Sequence, residues 1–576
     1  MTTKMMAEHD LTTRTPWWLG PGALLAWWVL AGIALGSALG APPVQRTQEA
    51  RVLETAREML GRGFRSYMVP MLNGHLRVRK PPLAYWMAAG AYKIGGVSET
   101  TGRIPTALIG WLTLGITFWS ARWLFGARAA FFAAGTLLTS YLFFRHSRLA
   151  ETDAPAMLFV TLGVFAFWRA AVGRLGDKET GRQGDKETND EIRMTNDETG
   201  RFGFWWFHMG AVATALAVLS KGPPGFYPLL FLLVWCLVRW RWSVLYRFAV
   251  SGAPLTVIVI AAPWFVYIFK AVGIEQWKKE SDELLGGEAH GGIFLVYFPQ
   301  LIQATAPWFL VVGGAIVAAC QRVLSFSQEF PYVSWDRVSD WRLQGMLLWV
   351  GAVFVPLCFL GNKQMHYLTS LMPPLMILAG WWLDWVLGSI GRRGSRVPLL
   401  DGTMLLAALG VPGILVAGRI IKGRIGFYDV ALAVILAIAL AIVGIVYFRK
   451  GLAAATVAYI VAAAAVFVPV VGVWVPLSES GNSRTVAREI TRRFGKGPYC
   501  FYGPAFSLPL CFNLRTEIPL ARGPGELEKL AVQVPGLVAI AQTKSKYAPP
   551  PPPAGFEQQP PDIEVPGQSF RIYKLR

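Results

Sequence analysis

Charge is scarce in this chain. Asp, Glu, Lys and Arg make up 16% of its 576 residues, against about a quarter in ordinary soluble domains. That shortage excludes a string of soluble domains. Histidine is scarcer still, with six residues. His75, His146 and His290 do not fall at a metal-ligand spacing, so neither a metal nor another cofactor is expected. The five cysteines show no zinc-finger spacing, and no nucleic-acid-binding module is visible. The net charge of +20 is therefore not read as a nucleic-acid surface. No Walker or Rossmann fingerprint appears, which argues against a nucleotide-sugar donor. No inverted repeat is visible either, which argues against a transporter.

Apolar runs fill the space that charge leaves. The chain is 54% hydrophobic with a mean hydropathy of +0.41, and many runs reach the roughly 18 residues a spanning helix needs. The expected fold class is a polytopic α-helical membrane protein of about 13 transmembrane helices with a small C-terminal extracytoplasmic α/β domain. The spans centre near 17–40, 104–124, 129–144, 153–172, 204–220, 224–239, 248–268, 303–320, 343–360, 367–387, 399–418, 428–447 and 452–476. The polar start MTTKMMAEHDLTTRTP is too long for a signal-peptide n-region, so the first span is read as uncleaved. Arg122, Arg128, Arg239, Arg241, Arg247, Arg449 and Lys450 all fall on one side if the N-terminus is cytoplasmic. One short loop, with Arg419, Lys422 and Arg424, goes against that pattern.

This topology divides the chain into a membrane domain, 1–476, and an extracytoplasmic domain, 477–576. Within the first, residues 41–103 form a long external segment. EARVLETAREMLGR sorts Val52, Leu53, Ala56 and Met59 onto one helical face and Arg51, Glu54, Arg57 and Glu58 largely onto the other, as in a helix lying at the interface. Residues 173–203, which repeat GDKET, read as a disordered cytoplasmic insertion. In the second domain TVAREITRRF predicts a helix, and PYCFYG, LVAIAQ and FRIYKLR predict strands. Cys500 and Cys511 there could form a disulfide or remain two buried thiols.

Polar residues gather at the external face from distant segments. NGHLRVRKPPLAYW places Arg77, Arg79 and Lys80 directly before Pro81-Pro82 and the aromatic pair Tyr85-Trp86. RLAETDAPAML brings Arg148, Glu151 and Asp153, LSKGPPGF brings Lys221, and His290 precedes TAPWFL. NKQMHYLTSLMPPL brings Lys363, His366 and Tyr367. Singly, a lysine at a span end can simply snorkel and an aspartate can be a helix cap. Together, ionisable groups at this depth mark a functional site. Fixed cations there would stabilise a lipid phosphate leaving from a sugar, and a carboxylate could take the proton of an attacking hydroxyl.

In ordered succession, roughly from residue 45 to 380, these motifs resemble the GT-C glycosyltransferases. They are most similar to the 4-amino-4-deoxy-L-arabinose lipid A transferases and the protein O-mannosyltransferases. The resemblance implies a GT-C bundle and a polyprenyl-phosphate sugar donor. The acceptor would be extracytoplasmic: lipid A, another glycolipid or a protein hydroxyl. It implies a multi-pass protein of the inner membrane, in contact with membrane lipids and not with nucleic acid. The family's external Asp-Glu pair falls on Gln48 and Glu49, so the resemblance implies that Glu49 takes the catalytic role or that Asp153 shares it. Lys80, Lys221 and Lys363 match the positions facing the donor phosphate. Arg57, Tyr85, Arg148, His290 and Tyr367 are candidate substrate contacts. An acid that binds metal in the family is replaced by Arg79. The alternatives are a GT-C homologue that binds a glycolipid without turnover, and a transporter.

Overall fold

The computed structural model describes residues 16–61, 63–173, 189–275, 294–329, 341–361, 363–390, 427–467, 483–543, 549–565 and 568–576. Apolar runs become helices because a backbone in hydrocarbon must satisfy its own hydrogen bonds. Among the described residues seven helices are long and apolar enough to cross a membrane: Glu99–Phe125, Asp153–Val172, Gly203–Lys221, Ala253–Val272, Trp341–Cys358, Met365–Gly388 and Ile438–Ala465. Phe294–Thr305 and Phe309–Leu324, bent by 118° at their junction, make an eighth if they act as one broken span.

The expected count of about 13 differs from this for three reasons. Pro21–Gly36, Ala127–Leu138 and Pro223–Val238 are apolar but short; at 1.5 Å per residue the first reaches only about 24 Å of a hydrocarbon core roughly 30 Å thick. The run at 399–418 lies outside the described residues. The last two runs meet in Phe427–Phe467, whose regularity breaks at Gly451. Trp168, Trp308 and Trp349 fill the interior, while Leu255, Ile258 and Val259 stand exposed on the outer surface, as lipid-facing positions should.

Residues 174–188 of the charged insertion lie outside the described residues. From Asn189 onward the chain is helical as far as Lys221. The last part of the expected disordered insertion is therefore a continuation of the following span, since a helix once nucleated extends at little further cost.

At one end of the bundle lies a second layer. It contains helix Thr47–Met59, short helix Phe64–Met68, a hairpin of Met71–Leu72 against His75–Leu76, and helix Leu83–Gly95. Asn73 and Gly74 form the hairpin turn with φ of 52° and 75°, the left-handed pair that Asn-Gly accommodates. Thr47–Met59 does not lie with its polar face in water as expected. Val52, Leu53 and Ala56 pack with Ala84, Tyr85 and Ala88, and on the opposite face Glu54 and Glu58 are buried as well. The cover is the C-terminal domain, whose Leu508 and Phe512 join the same apolar cluster.

That domain has the α/β character its sequence predicts. Helix Ser483–Phe494 precedes a mixed sheet ordered Leu520–Ala521, Tyr499–Tyr502, Val538–Gln542, Gln568–Leu575 and Phe556–Gln558, with Ile563–Val565 also paired to the long terminal strand. The first three strands are parallel, and the terminal strand runs antiparallel to Val538–Gln542. Side chains alternate across a strand. Cys500 therefore packs with Tyr502, Ala539 and Tyr573 on one face, and Cys511 with Tyr499, Phe501 and Ile540 on the other. Both are free, and burial pushes the Cys500 thiol up to about 12. The disulfide alternative is thus set aside in favour of two buried thiols.

Candidate active site

Asp153 opens the helix Asp153–Val172, and Lys221 closes the helix ending at that residue. The two meet in a buried ion pair, with the Lys221 ammonium donating to the Asp153 carboxylate. Gly222 follows with a φ of +79°, and a Cβ added there would sit 3.9 Å from Pro81 Cγ. The turn of LSKGPPGF is therefore seated against the turn of RVRKPPL. Each proline fixes its own φ, and Pro82 also restricts Pro81, so both turns approach as stiff units. Lys221 Nζ also lies 5.2 Å from the centre of the Tyr367 ring. His366 is 4.5 Å from that ring and 6.4 Å from the ring of His146, centre to centre.

His146 extends the cluster. Its Nδ1 is 2.9 Å from Glu151 Oε2, and the other Glu151 oxygen is 2.8 Å from Arg46. Burial works against the Glu151 carboxylate, but His146 and then Arg46 outweigh it and hold its pKa below the usual range. Ligand atoms of His146, Glu151 and Asp153 lie within 4.8 Å of one another, a grouping close enough to surround a cation. The sequence spacing of the histidines concealed it, because the ligands come from a bend between two helices. Arg46 and Lys221 already balance the two carboxylates, so a divalent ion would have to displace both cations.

Lys80 is the contrasting group. Among the described residues it makes no hydrogen bond or ion pair. Burial first, then Lys221, with smaller contributions from Arg77 and Arg79, lower its ammonium to about 8 against the opposing pull of Asp153. A desolvated cation among other cations is a place prepared for an anion.

The structure brings Asp153, Lys221, Lys80 and Tyr367 together and assigns the other expected residues elsewhere. Glu49, 1% exposed, accepts from Arg103 Nε at 2.6 Å, from Arg103 Nη2 at 2.8 Å and from the Ala150 amide at 3.1 Å. Three donors occupy its two oxygens, so Glu49 is a strut rather than a free base. Gln48 accepts from Arg51 at 3.3 Å. Arg57 is forked onto Glu54 at 2.7 and 2.9 Å. Tyr85, a candidate substrate contact, is buried in the apolar layer behind the site. Arg148 donates to the carbonyls of Ala34, Leu35 and Ser37 and so caps the helix Pro21–Gly36. Burial, and then Arg103, lower its pKa to about 10. Lys363 donates to the Leu360 carbonyl at 2.7 Å, near a helix end, and His290 lies outside the described residues. Sequence reasoning missed Arg46, Arg103 and the role of His146. The signal for Arg103 was an arginine inside TGRIPTAL, where an apolar helix offers it no solvent.

Residues 79–176 match the family model of dolichyl-phosphate-mannose-protein mannosyltransferases. Over 407 residues the chain is 23% identical to an undecaprenyl phosphate-alpha-4-amino-4-deoxy-L-arabinose arabinosyl transferase of Edwardsiella ictaluri, a match covering 66% of this chain and 65% of that one. It is 28% identical over 231 residues to an uncharacterized protein of Aquifex aeolicus, covering 40% of each. The matched segments thus span less than two thirds of either relative. The fold is similar to that of ArnT from Cupriavidus metallidurans bound to undecaprenyl phosphate, with a TM-score of 0.71 and 17% identity over 96% of this chain and 98% of that one.

The fold is that of a GT-C membrane bundle with a C-terminal sheet domain. Within this GT-C bundle the matched stretch, 79–176, carries Lys80, Arg103, His146, Glu151 and Asp153. Lys221 and Tyr367 reach the same place from later spans.

Proposed function

We propose that this GT-C chain transfers a sugar from a polyprenyl-phosphate donor to an acceptor at the outer face of the inner membrane. The observation that carries the reading is the convergence of Lys80, unpaired among the described residues, with the Lys221–Asp153 pair. Lys80 receives the donor phosphate, and Lys221, at a similar depth, turns from Asp153 toward it. That movement frees the Asp153 carboxylate. The acceptor oxygen then attacks the anomeric carbon, the bond from that carbon to the phosphate oxygen breaks, and the phosphate leaves with the electron pair. Asp153 takes the acceptor's proton if the nucleophile is a hydroxyl. The two ammonium groups stabilise the negative charge that grows on the leaving phosphate. An undecaprenyl-phosphate donor is supported by the name of the Edwardsiella relative and by the ligand in the ArnT structure.

Gln48, in place of an acid, and the full engagement of Glu49 favour a second reading, a protein that binds the lipid donor without turnover. Purified protein given a radiolabelled undecaprenyl-phosphate sugar separates the two. Release of undecaprenyl phosphate with label moved to an envelope acceptor is expected. Saturable binding without release would sink the catalytic reading. Comparing envelope glycans between wild-type and deletion strains then identifies the acceptor.

A further inference from the structure

Lys80 stands six residues after the hairpin turn, and the C-terminal domain grips that turn. Asn73 Nδ2 donates to the Ile518 carbonyl at 2.8 Å, and the Ile518 amide donates to Asn73 Oδ1 at 2.7 Å. A side-chain amide thus makes the two reciprocal bonds that a paired strand would make. From the other side Glu58 accepts from the backbone amides of Asn73 and Gly74. The turn is held between the helix Thr47–Met59 and the C-terminal domain.

From there to Lys80 the chain has little freedom. The Arg77 amide donates to the Pro70 carbonyl at 2.8 Å. Val78 is buried in the core of the bundle, and Pro81 abuts the Gly222 turn. Other polar links of the C-terminal domain to the external layer fall near that layer's two ends: Ser483 to the Val44 carbonyl, Arg484 to Glu99 and the Gly40 carbonyl, and Arg515 to the Val97 carbonyl. They fix the domain in place, and the pair made by Asn73 transmits that placement to the strip.

We infer that Asn73 is a positioning residue through which the C-terminal domain sets where Arg77–Lys80 stands over the Lys221–Asp153 pair. The inference rests on the donor reading only for the ligand used in its test.

The test uses the full chain in detergent, with undecaprenyl phosphate as probe and hydrogen exchange of residues 75–80 as a second readout. Asn73→Gly keeps the left-handed turn and removes both bonds to Ile518. It should speed exchange in 75–80 and weaken undecaprenyl phosphate binding roughly tenfold, the scale of two ordinary hydrogen bonds. Cys511 Sγ lies 3.8 Å from Asn73 Oδ1, so Asn73→Cys offers a covalent replacement. Reduced, it should behave like the glycine variant; oxidised and linked to Cys511, it should regain slow exchange and tight binding, which a merely misfolded variant would not do. Wild-type exchange and affinity in Asn73→Gly, or an oxidised link that restores neither, overturns the inference. If the wild-type chain binds no undecaprenyl phosphate while exchange in 75–80 still responds to Asn73, the donor reading fails and the positioning role stands.

Discussion

A lysine that must hold an anion is most useful when nothing else holds it. Among the described residues Lys80 meets that condition, and Lys80→Ala should cost on the order of 100-fold in turnover along with donor affinity. Steady-state kinetics beside undecaprenyl phosphate binding would show it, and unchanged kinetics would put the site elsewhere. The lysine's lowered pKa adds a pH signature. Its ordinary value is 10.5 and burial and Lys221 bring it to about 8, so the folded protein loses this proton first. Donor affinity should then fall as pH rises through 8, and that leg should vanish in Lys80→Met. Stability should move the other way. Between pH 8 and 10.5 the unfolded chain holds a proton the folded chain has released, so wild type gains stability relative to Lys80→Met across that window. Glu49 and Asp153 are separated by a similar contrast. Asp153→Asn should lose turnover while still binding undecaprenyl phosphate. Arg103→Ala should leave Glu49 buried and unpaired, costing about 3–5 kcal/mol of stability, read as a lowered thermal midpoint in detergent.

The elements of the site are two proline-stiffened turns that meet. Gly222 has a φ of +79° and a ψ of −130°, a combination that side-chain-bearing residues avoid. Gly222→Ala should therefore force the turn open, part Lys221 from Asp153 and reduce turnover by more than it reduces stability. Measuring the thermal midpoint alongside the rate would decide, and a variant with wild-type rate would show that the contact with Pro81 is incidental. At the far end of the same spans, deleting residues 174–188 of the charged repeat should leave turnover intact, because Asp153 and Lys221 lie at the opposite ends of the two helices the repeat connects. Lost activity in a folded, inserted deletion protein would give the repeat a role.

The whole molecule places the residue 41–98 layer, the polar cluster and the C-terminal domain at one end of the bundle. If that end is extracytoplasmic, His75→Cys and Glu528→Cys, both at exposed positions, should each react with a membrane-impermeant thiol reagent added to intact spheroplasts. Labelling only after lysis would reverse the orientation. Labelling of one alone would contradict the contacts of Asn73 with Ile518 and of Arg484 with Glu99.

Much of this was legible in the sequence because the solvent is so restrictive. A long apolar run must be helical in hydrocarbon, and the alternating run of FRIYKLR must lie half-buried in a sheet. The KPP and KGPP turns and Asp153 were legible for the same reason: a charge in an apolar surrounding needs a cause. Which partner each charge finds was not legible, because partners come from segments remote in the chain. Glu49 and Asp153 are both acids at helix starts, and only packing shows that Arg103 and Ala150 fill one while Lys221 holds the other. Arg148 and Lys363 looked like site cations until helix ends supplied carbonyls for them. Cys500 and Cys511 stand eleven residues apart, near enough in sequence to suggest a bond. The sheet between them decides against it, since Cys500 points to one of its faces and the helix Leu508–Leu514 carries Cys511 against the other. The amphipathic helix Thr47–Met59 could be read from its periodicity, but its polar face meets protein rather than water, because the chain returns some 450 residues later to cover it.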